Sequence, residues 1–426
     1  MKISSIKRVV AVAAAALCAC VFAGCALNGL NDPSTEGSLP ENYSSMRSPD
    51  YYKFNTPAYF VVTADFTKSE NIEKLNALGA RVQEYLNVVE ASLSTTVSTS
   101  YIARFNAAEP GAKVQLDEMS YTVLEEAVKM YEFTNGYYNP AVYYSVDLFG
   151  FSPRFNTETH TAQLSTKTPY DRVSGNVVNA ALEPDEHYVS IFKQLASHMD
   201  ELELVQEDGK YYAIKPDVTV YGLQDEEYTF ALDLGGIGKG YAADAVNAMI
   251  HEAGFEYGFF SFGSSSISIL KSADSSQNNN WQFNLTDPDM FLFGGTYARM
   301  YAQSTGLSSS GDYEKCYKAQ DGVNTYCHII DPFTGRPKTL GIAACTLTGK
   351  NAAYADCLTT ALLVMGEEKA VEFINNKLKD CRVTMIVRGS GGACEHIVSN
   401  VPDLEYNPQY TLANTLDDEG NIILKG

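Results

Sequence analysis

The stretch Asp233-Leu234-Gly235-Gly236-Ile237-Gly238-Lys239-Gly240-Tyr241-Ala242-Ala243-Asp244 constrains this chain more than any other. An apolar run from Tyr228 to Leu234 ends in four glycines within six residues, and a helical pattern follows. Glycines at a strand-to-helix turn let the backbone take positive φ and approach a ligand closely. The N–H groups at the start of a helix, with its dipole behind them, favour a phosphate. The Ser or Thr that follows Gly-Lys in a P-loop is missing, and the glycine spacing is not that of a dinucleotide fingerprint. The turn therefore predicts a ligand without naming it.

Periodicity places this turn in a larger plan. Apolar residues at helical spacing (Ile72, Leu75, Leu78, Val82, Leu86, Val89, Leu93) predict a helix over 71–93. Further helices are expected over 120–134 (capped by Ser120), 184–202, 241–253, 352–365 and 367–378. Strands are expected at 202–205, 211–215, 230–234, 258–270, 281–285, 298–303, 328–330, 343–348 and 382–388. Helices and antiparallel-looking strands mix without βαβ regularity, so the expected class is α+β with largely antiparallel sheets. The polar segment 156–185 reads as an insertion or long loop.

The N-terminus reads as an address. Lys2, Lys7 and Arg8 precede an apolar run from Val9 to Phe22, the pattern of a secretory signal over residues 1–24. Phe22-Ala23-Gly24-Cys25 resembles a bacterial lipobox, which predicts cleavage before Cys25 and a lipid anchor on its thiol. Plain secretion is the alternative. Residues 25–55 are polar and read as a flexible tether, and 56–426 as the folded domain. The expected location is the outer face of the cell membrane. With 31 basic against 52 acidic side chains the formal net charge is −21, which argues against a nucleic-acid partner. None of the seven cysteines beyond the leader forms a C-x-x-C pair, so zinc is not expected.

Two constellations could carry chemistry. Asp356 and Thr360 stand four apart on the expected 352–365 helix, hence on one face, in a stretch otherwise apolar. A carboxylate and a hydroxyl are oxygen donors that suit Mg²⁺ or Ca²⁺, with backbone carbonyls, water and a substrate phosphate completing the shell. An Asp bonded locally and a packed Thr explain the same spacing. His328-Ile329-Ile330-Asp331-Pro332-Phe333-Thr334-Gly335 is a short strand running into a turn. It is either turn chemistry alone or a site where His328 and Asp331 reach a ligand, His being the usual proton acceptor near neutral pH.

The order of motifs along the chain resembles one family. Ser94-Thr95 and Arg104-Phe105-Asn106 come first, then Thr134-Asn135-Gly136 and Asn139-Pro140. The Asp233–Tyr241 turn, Gly311-Asp312-Tyr313, His328 to Gly335, and Ala355-Asp356 with Thr359-Thr360-Ala361 follow in that order. From about Ala58 to about Val398 the chain looks like the ApbE family of flavin transferases. The resemblance implies an exported Mg²⁺-dependent enzyme that binds FAD, transfers its FMN half to a Thr hydroxyl of an extracytoplasmic flavoprotein, and releases AMP. It implies metal ligands at Asp356, Thr360 and a carbonyl of the Gly236–Gly238 stretch, taken as Gly236. FAD contacts are implied at Thr95, Thr96, Asp233, Gly235, Gly236, Ile237, Gly238, Lys239, Gly240 and Thr334. His328 and Asp331 would line the reacting centre, either being the base. Thr96 stands where many members carry an aromatic that stacks on the flavin, and Asn135 and Asn139 stand where Asp is usual. Two alternatives use the same motifs: a Mg²⁺-dependent FAD pyrophosphatase, and an FAD-binding lipoprotein without turnover.

Overall fold

The computed structural model describes residues 39–425 except 55, 153–183, 264, 314, 319–324 and 340. The leader, Cys25 and all but the last two residues of the expected insertion lie outside the described residues. The described chain is a mixed α+β fold built on one ten-stranded sheet. Its strands are β1 (Tyr43–Arg47), β2 (Tyr51–Lys53), β3 (Thr56–Asp65), β4 (Tyr257–Phe262), β5 (Ser266–Ile269), β6 (Thr305–Gly311), β7 (Ile342–Gly349), β8 (Arg382–Arg388), β9 (Cys394–Ser399) and β10 (Thr411–Leu412). They lie in the order β1-β3-β4-β5-β6-β7-β8-β9-β10, with β2 also on β3. Every pairing is antiparallel except β9 with β10.

The helices are α1 (Ser69–Leu93), α2 (Tyr101–Asn106), α3 (Glu118–Phe133), α4 (Tyr143–Leu148), α5 (Glu186–Ala196), α6 (Gly238–Glu252), α7 (Ala352–Met365) and α8 (Glu367–Lys377). Period-two alternation sorts the strand side chains between two faces. Phe60, Val62, Phe260 and Phe262 face the large core with the helices. Val61, Phe259, Ile267, Ile269 and Leu307 face away and pack with Phe283 and Ala302. These last two belong to a small antiparallel sheet of Trp281–Thr286, Thr296–Ala302 and Glu405–Tyr406. Both faces of the central strands are therefore buried, which is why these strands read as apolar runs rather than clean alternation.

Helix α7 lies flat on the sheet with most of its circumference covered, from Ala352 and Ala355 to Leu362 and Leu363, and only Tyr354, Thr360 and Val364 partly exposed. Two glycines permit this. A Cβ on Gly306 of β6 would lie 1.9 Å from the Asn351 carbonyl carbon, and one on Gly240 of α6 would lie 2.4 Å from the Ala352 carbonyl oxygen. Any side chain at either place would drive α7 off its neighbours.

Three expectations need correction. The tether does not reach residue 55: Tyr43–Arg47 and Tyr51–Lys53 are paired strands on β3. Aromatic contacts overrode their polar composition, since Tyr51 stacks on Phe60 and Arg47 lies over the Tyr59 ring. Helix α3 starts two residues before Ser120, because the Asp117 carboxylate accepts from the Ser120 N–H and is the cap. The strand expected at 230–234 is replaced by Glu227–Thr229, paired with Thr219–Tyr221. Beyond it the backbone is held by a side chain: the Asn106 amide donates to Leu232 O at 2.9 Å, and its Oδ1 accepts from Leu232 N at 2.9 Å. One carboxamide supplies the two bonds that a neighbouring strand would have made.

Candidate functional site

The glycine turn is built from both directions. Upstream, Asn106 clasps Leu232, and Asp233 N donates to Pro140 O at 2.7 Å, tying the Asn139-Pro140 motif to the turn. The Asp233 carboxylate accepts from Gly235 N at 2.9 Å, closing an Asx turn that reverses the chain. Downstream, α6 starts at Gly238. A Cβ at Gly238 would lie 3.6 Å from Leu93, so the turn rests against the last residue of α1. The Ser94-Thr95-Thr96 loop leaves from that point, folded by the Ser94 hydroxyl, which accepts from Thr96 N and Val97 N. Thr95 is half-buried and Thr96 exposed.

Asp356 stands one turn into α7, with its side chain facing the start of α6. It is buried, at 3% exposure, yet its contacts are long. Gly240 N lies 3.3 Å from Oδ2, the Ser308 hydroxyl 3.4 Å from Oδ1, and the Lys239 ammonium 3.7 Å from Oδ2. The Lys239 ammonium also donates to Gly235 O at 2.6 Å. A cationic group thus bridges a carbonyl of the glycine turn and the Asp356 carboxylate. Those oxygens converge on one point that draws positive charge.

Thr360 completes the arrangement. Its hydroxyl donates to Asp356 O at 3.2 Å, one helical turn back, which directs its lone pairs outward. Gly236 lies opposite: a Cβ there would be 3.6 Å from Thr360 Oγ1 and 3.1 Å from the Tyr138 ring. The donor set is one carboxylate, one hydroxyl and turn carbonyls, all hard oxygens of the kind Mg²⁺ and Ca²⁺ take. Among the described residues, no group of three or more His, Cys, Asp and Glu could hold a metal. A cation here would depend on backbone and substrate oxygens beside Asp356. Within the Gly236–Gly238 stretch, Ile237 O already accepts from Tyr241 N, while Gly236 is the residue against Thr360.

Two neutral side chains wall Asp356 on one side. Tyr138 and Cys357 are both fully buried, and burial pushes the phenol and the thiol well above their ordinary values. Asp244 closes the back. Its carboxylate accepts from Ala352 N at 2.9 Å and Ala353 N at 3.0 Å, capping α7 from α6. Burial raises the Asp244 pKa, and the two N–H bonds oppose that shift.

The turn after His328 forms a second cluster. Ile330–Asp331 pairs with Arg336–Pro337. Asp331 Oδ1 accepts from Phe333 N at 2.8 Å, and its carbonyl accepts from Thr334 N and Gly335 N. Thr334 Oγ1 accepts from Arg336 N at 3.3 Å, so Thr334 shapes the same turn. Phe333 is half exposed and meets Tyr137 edge-on at 4.9 Å. The Tyr137 hydroxyl accepts from the Lys369 ammonium at 2.9 Å. Tyr137 and Tyr138 are consecutive, so one peptide unit links this turn to the Gly236–Thr360 cluster. His328 is half-buried between Cys327 and Ile329, and its N–H donates to Lys315 O.

Sequence reasoning passed over Ser308 and Asp244 as site residues. Ser308 gave no local signal, since it acts on a residue far along the chain. Asp244 was visible four residues after Gly240, but its partners lie 108 and 109 residues away. Gly311-Asp312-Tyr313 turns out to be an anchor: Asp312 takes Arg388 bidentately at 3.0 and 2.8 Å, with the Lys338 ammonium at 3.5 Å.

Known proteins place this architecture. The chain is 25% identical over 321 residues to an FAD:protein FMN transferase of Klebsiella pneumoniae, covering 75% of this chain and 79% of that one. It is 25% identical over 342 residues to an FAD:protein FMN transferase of Vibrio cholerae, covering 79% and 86%. The flavinyl transferase ApbE of Pseudomonas stutzeri, solved in its apo form, superposes with a TM-score of 0.61 at 20% identity, over 83% of this chain and 93% of that chain. Residues 56–385 match the ApbE family throughout, and the chain belongs to the ApbE family.

Proposed function

We propose that this chain is an FAD:protein FMN transferase that uses Mg²⁺ and moves the FMN half of FAD onto a Thr hydroxyl of an acceptor flavoprotein. The observation that carries the reading is Asp356: a buried carboxylate with only long contacts, facing a glycine turn, a lysine and a hydroxyl. Family membership and the names of the relatives support the reaction.

In this reading Asp356, Thr360 and the Gly236 carbonyl would hold the cation. When bound, it neutralises charge on the pyrophosphate and orients the leaving group. The turn from Asp233 to Gly240 lies along the pyrophosphate. Lys239 exchanges its hold on Gly235 O and Asp356 for the phosphate oxygens. The acceptor hydroxyl attacks the FMN-side phosphorus, its proton passes to His328 or Asp331, the P–O bond to AMP breaks, and AMP leaves. Thr95, Thr96 and Thr334 border the flavin. Buried Tyr138 and Cys357 stay neutral and keep water from the back of the site. Ca²⁺ fits the same hard oxygens. The N-terminal leader would export the chain, and after cleavage a lipid on Cys25 would hold the enzyme on the outer face of the membrane, where the acceptor is met.

The test is an incubation of the chain with FAD and Mg²⁺, with and without a Thr-bearing acceptor domain. A mass gain of one FMN moiety on the acceptor together with free AMP is the expected result. AMP and free FMN without acceptor labelling would replace the reading with hydrolysis. Intact FAD in both tubes would replace it with FAD binding alone.

A further inference from the structure

The hairpin that leads into His328 places two cysteines face to face. Cys316–Lys318 pairs antiparallel with Thr325–Cys327, and Cys316 is the register partner of Cys327. Which kind of pair they form follows from the next rung. His328 N donates to Lys315 O at 3.1 Å, so Lys315 and His328 are a hydrogen-bonded pair. Hydrogen-bonded and non-hydrogen-bonded pairs alternate along an antiparallel ladder. Cys316 and Cys327 are therefore a non-hydrogen-bonded pair, where Cα atoms stand about 4.5 Å apart and side chains come closest. That separation lies inside the roughly 4.4–6.8 Å span of a disulfide.

The register is fixed from both faces. Tyr317 and Tyr326, the next pair along, meet edge-on at 5.7 Å within an aromatic core with Phe149 and Phe192. Cys316 and Cys327 point the other way, into the main core. A slip of one residue would exchange these sets and bury the wrong side chains. The other described cysteines in the large sheet face no cysteine: Cys345 is opposite Met385 and Cys394 opposite Arg388.

We propose that Cys316 and Cys327 are the site of a cross-strand disulfide that locks the hairpin leading into His328. The oxidant is a small-molecule or protein disulfide. The Cys316 thiolate, on the more exposed side chain, attacks one sulfur of that disulfide, the donor S–S bond breaks, and one donor thiol leaves. Cys327 then loses its proton and attacks Cys316 Sγ, releasing the second donor thiol. Two protein thiols are oxidised to one disulfide, and one donor disulfide is reduced to two thiols. Burial pushes the Cys327 thiol up to about 12, so this second displacement is slow and speeds up with pH.

The test uses the full chain, reduced with dithiothreitol and then incubated with oxidised glutathione. After alkylation it is cut with trypsin without reduction. Lys318 lies between the two cysteines, so trypsin separates them unless a disulfide joins them. The expected product is one joined peptide, two hydrogens lighter than its parts. A stable glutathione adduct on Cys316, or Cys316 joined to any other cysteine, would overturn the assignment. Cys316→Ser should abolish the joined peptide. The locking role has its own readout: oxidised wild-type chain should melt several degrees above reduced chain, with no redox-dependent shift in Cys316→Ser. Equal melting of the two wild-type forms would sink it. Neither readout depends on the proposed reaction.

Discussion

Two buried aspartates of this molecule, Asp312 and Asp356, are served very differently. Asp312 receives a bidentate guanidinium from Arg388 at 2.8 and 3.0 Å and a lysine at 3.5 Å. Arg388 is itself fixed by Asp289 at 2.7 Å and by Gly392 O. Asp356 is equally buried, but its nearest donors stand at 3.3, 3.4 and 3.7 Å. A buried charge costs several kcal/mol unless it is paired and hydrogen-bonded. Asp312 has its compensation inside the fold. The compensation of Asp356 is incomplete and faces a glycine turn from which a cation or ligand can supply it. Two carboxylates that both sit in short sequence motifs thus divide into an anchor and a candidate site.

The contrast breaks most sharply at Asp356. Asp356→Asn should lower Mg²⁺-dependent turnover by about 10³-fold, since loss of ~4 kcal/mol of metal-supplied stabilisation has that effect. Its melting temperature should hold or rise, because an undercompensated charge is removed. Steady-state rates and thermal melts on one preparation check both halves; a fold collapse with unchanged specific rate would make Asp356 an anchor. Asp312→Ala should do the reverse and destabilise the chain by about 3–5 kcal/mol by stranding Arg388 and Lys338. Urea unfolding reads it, and the effect should be independent of Mg²⁺.

Smaller changes sharpen the picture. Thr360→Val keeps shape but removes an oxygen, and should weaken Mg²⁺ binding about tenfold, or ~1.4 kcal/mol. Isothermal titration would show it; unchanged affinity would remove Thr360 from the ligand set. Lys215 supplies an intermediate case. It is buried, with its ammonium on Asn106 O, Ala108 O and the Thr229 hydroxyl at 2.7, 2.7 and 2.8 Å. Burial pushes its pKa down from 10.5 to about 8. The native chain then releases this proton before the unfolded chain does. The cost of the buried charge is fully present below about pH 8 and disappears as pH rises toward 10.5, so stability gains over that window. Denaturant midpoints across it should rise in the wild type relative to Lys215→Met; parallel curves would show that the ammonium is fully compensated by its three acceptors.

Much of the candidate site was legible because its parts are local. Asp356 and Thr360 share a face because they are four apart on a helix, and the structure keeps that helix at Ala352–Met365. The turn from Asp233 to Gly240 was visible in its glycines, although α6 begins inside it at Gly238, three residues before the expected start at Tyr241. What misread was non-local. Residues 230–234 looked like a strand, but Leu232 is held by one asparagine 126 positions away. Residues 43–53 looked like tether because a sequence window does not show that Tyr51 will meet Phe60 and Arg47 will meet Tyr59. Asp312 read as one more motif residue, since nothing near it announces Arg388.

By itself the sequence determined the long helices, most of the apolar strands, the order of motifs and the residue types able to bind oxygen-loving cations. These follow from side-chain period and turn chemistry, which act over a few residues. Only the tertiary structure decided which carboxylate is satisfied and which is left open. Compensation of a buried charge depends on donors brought to α7 by two other elements, Lys239 and Gly240 from α6 and Ser308 from β6, and only the packed sheet and helices set those distances.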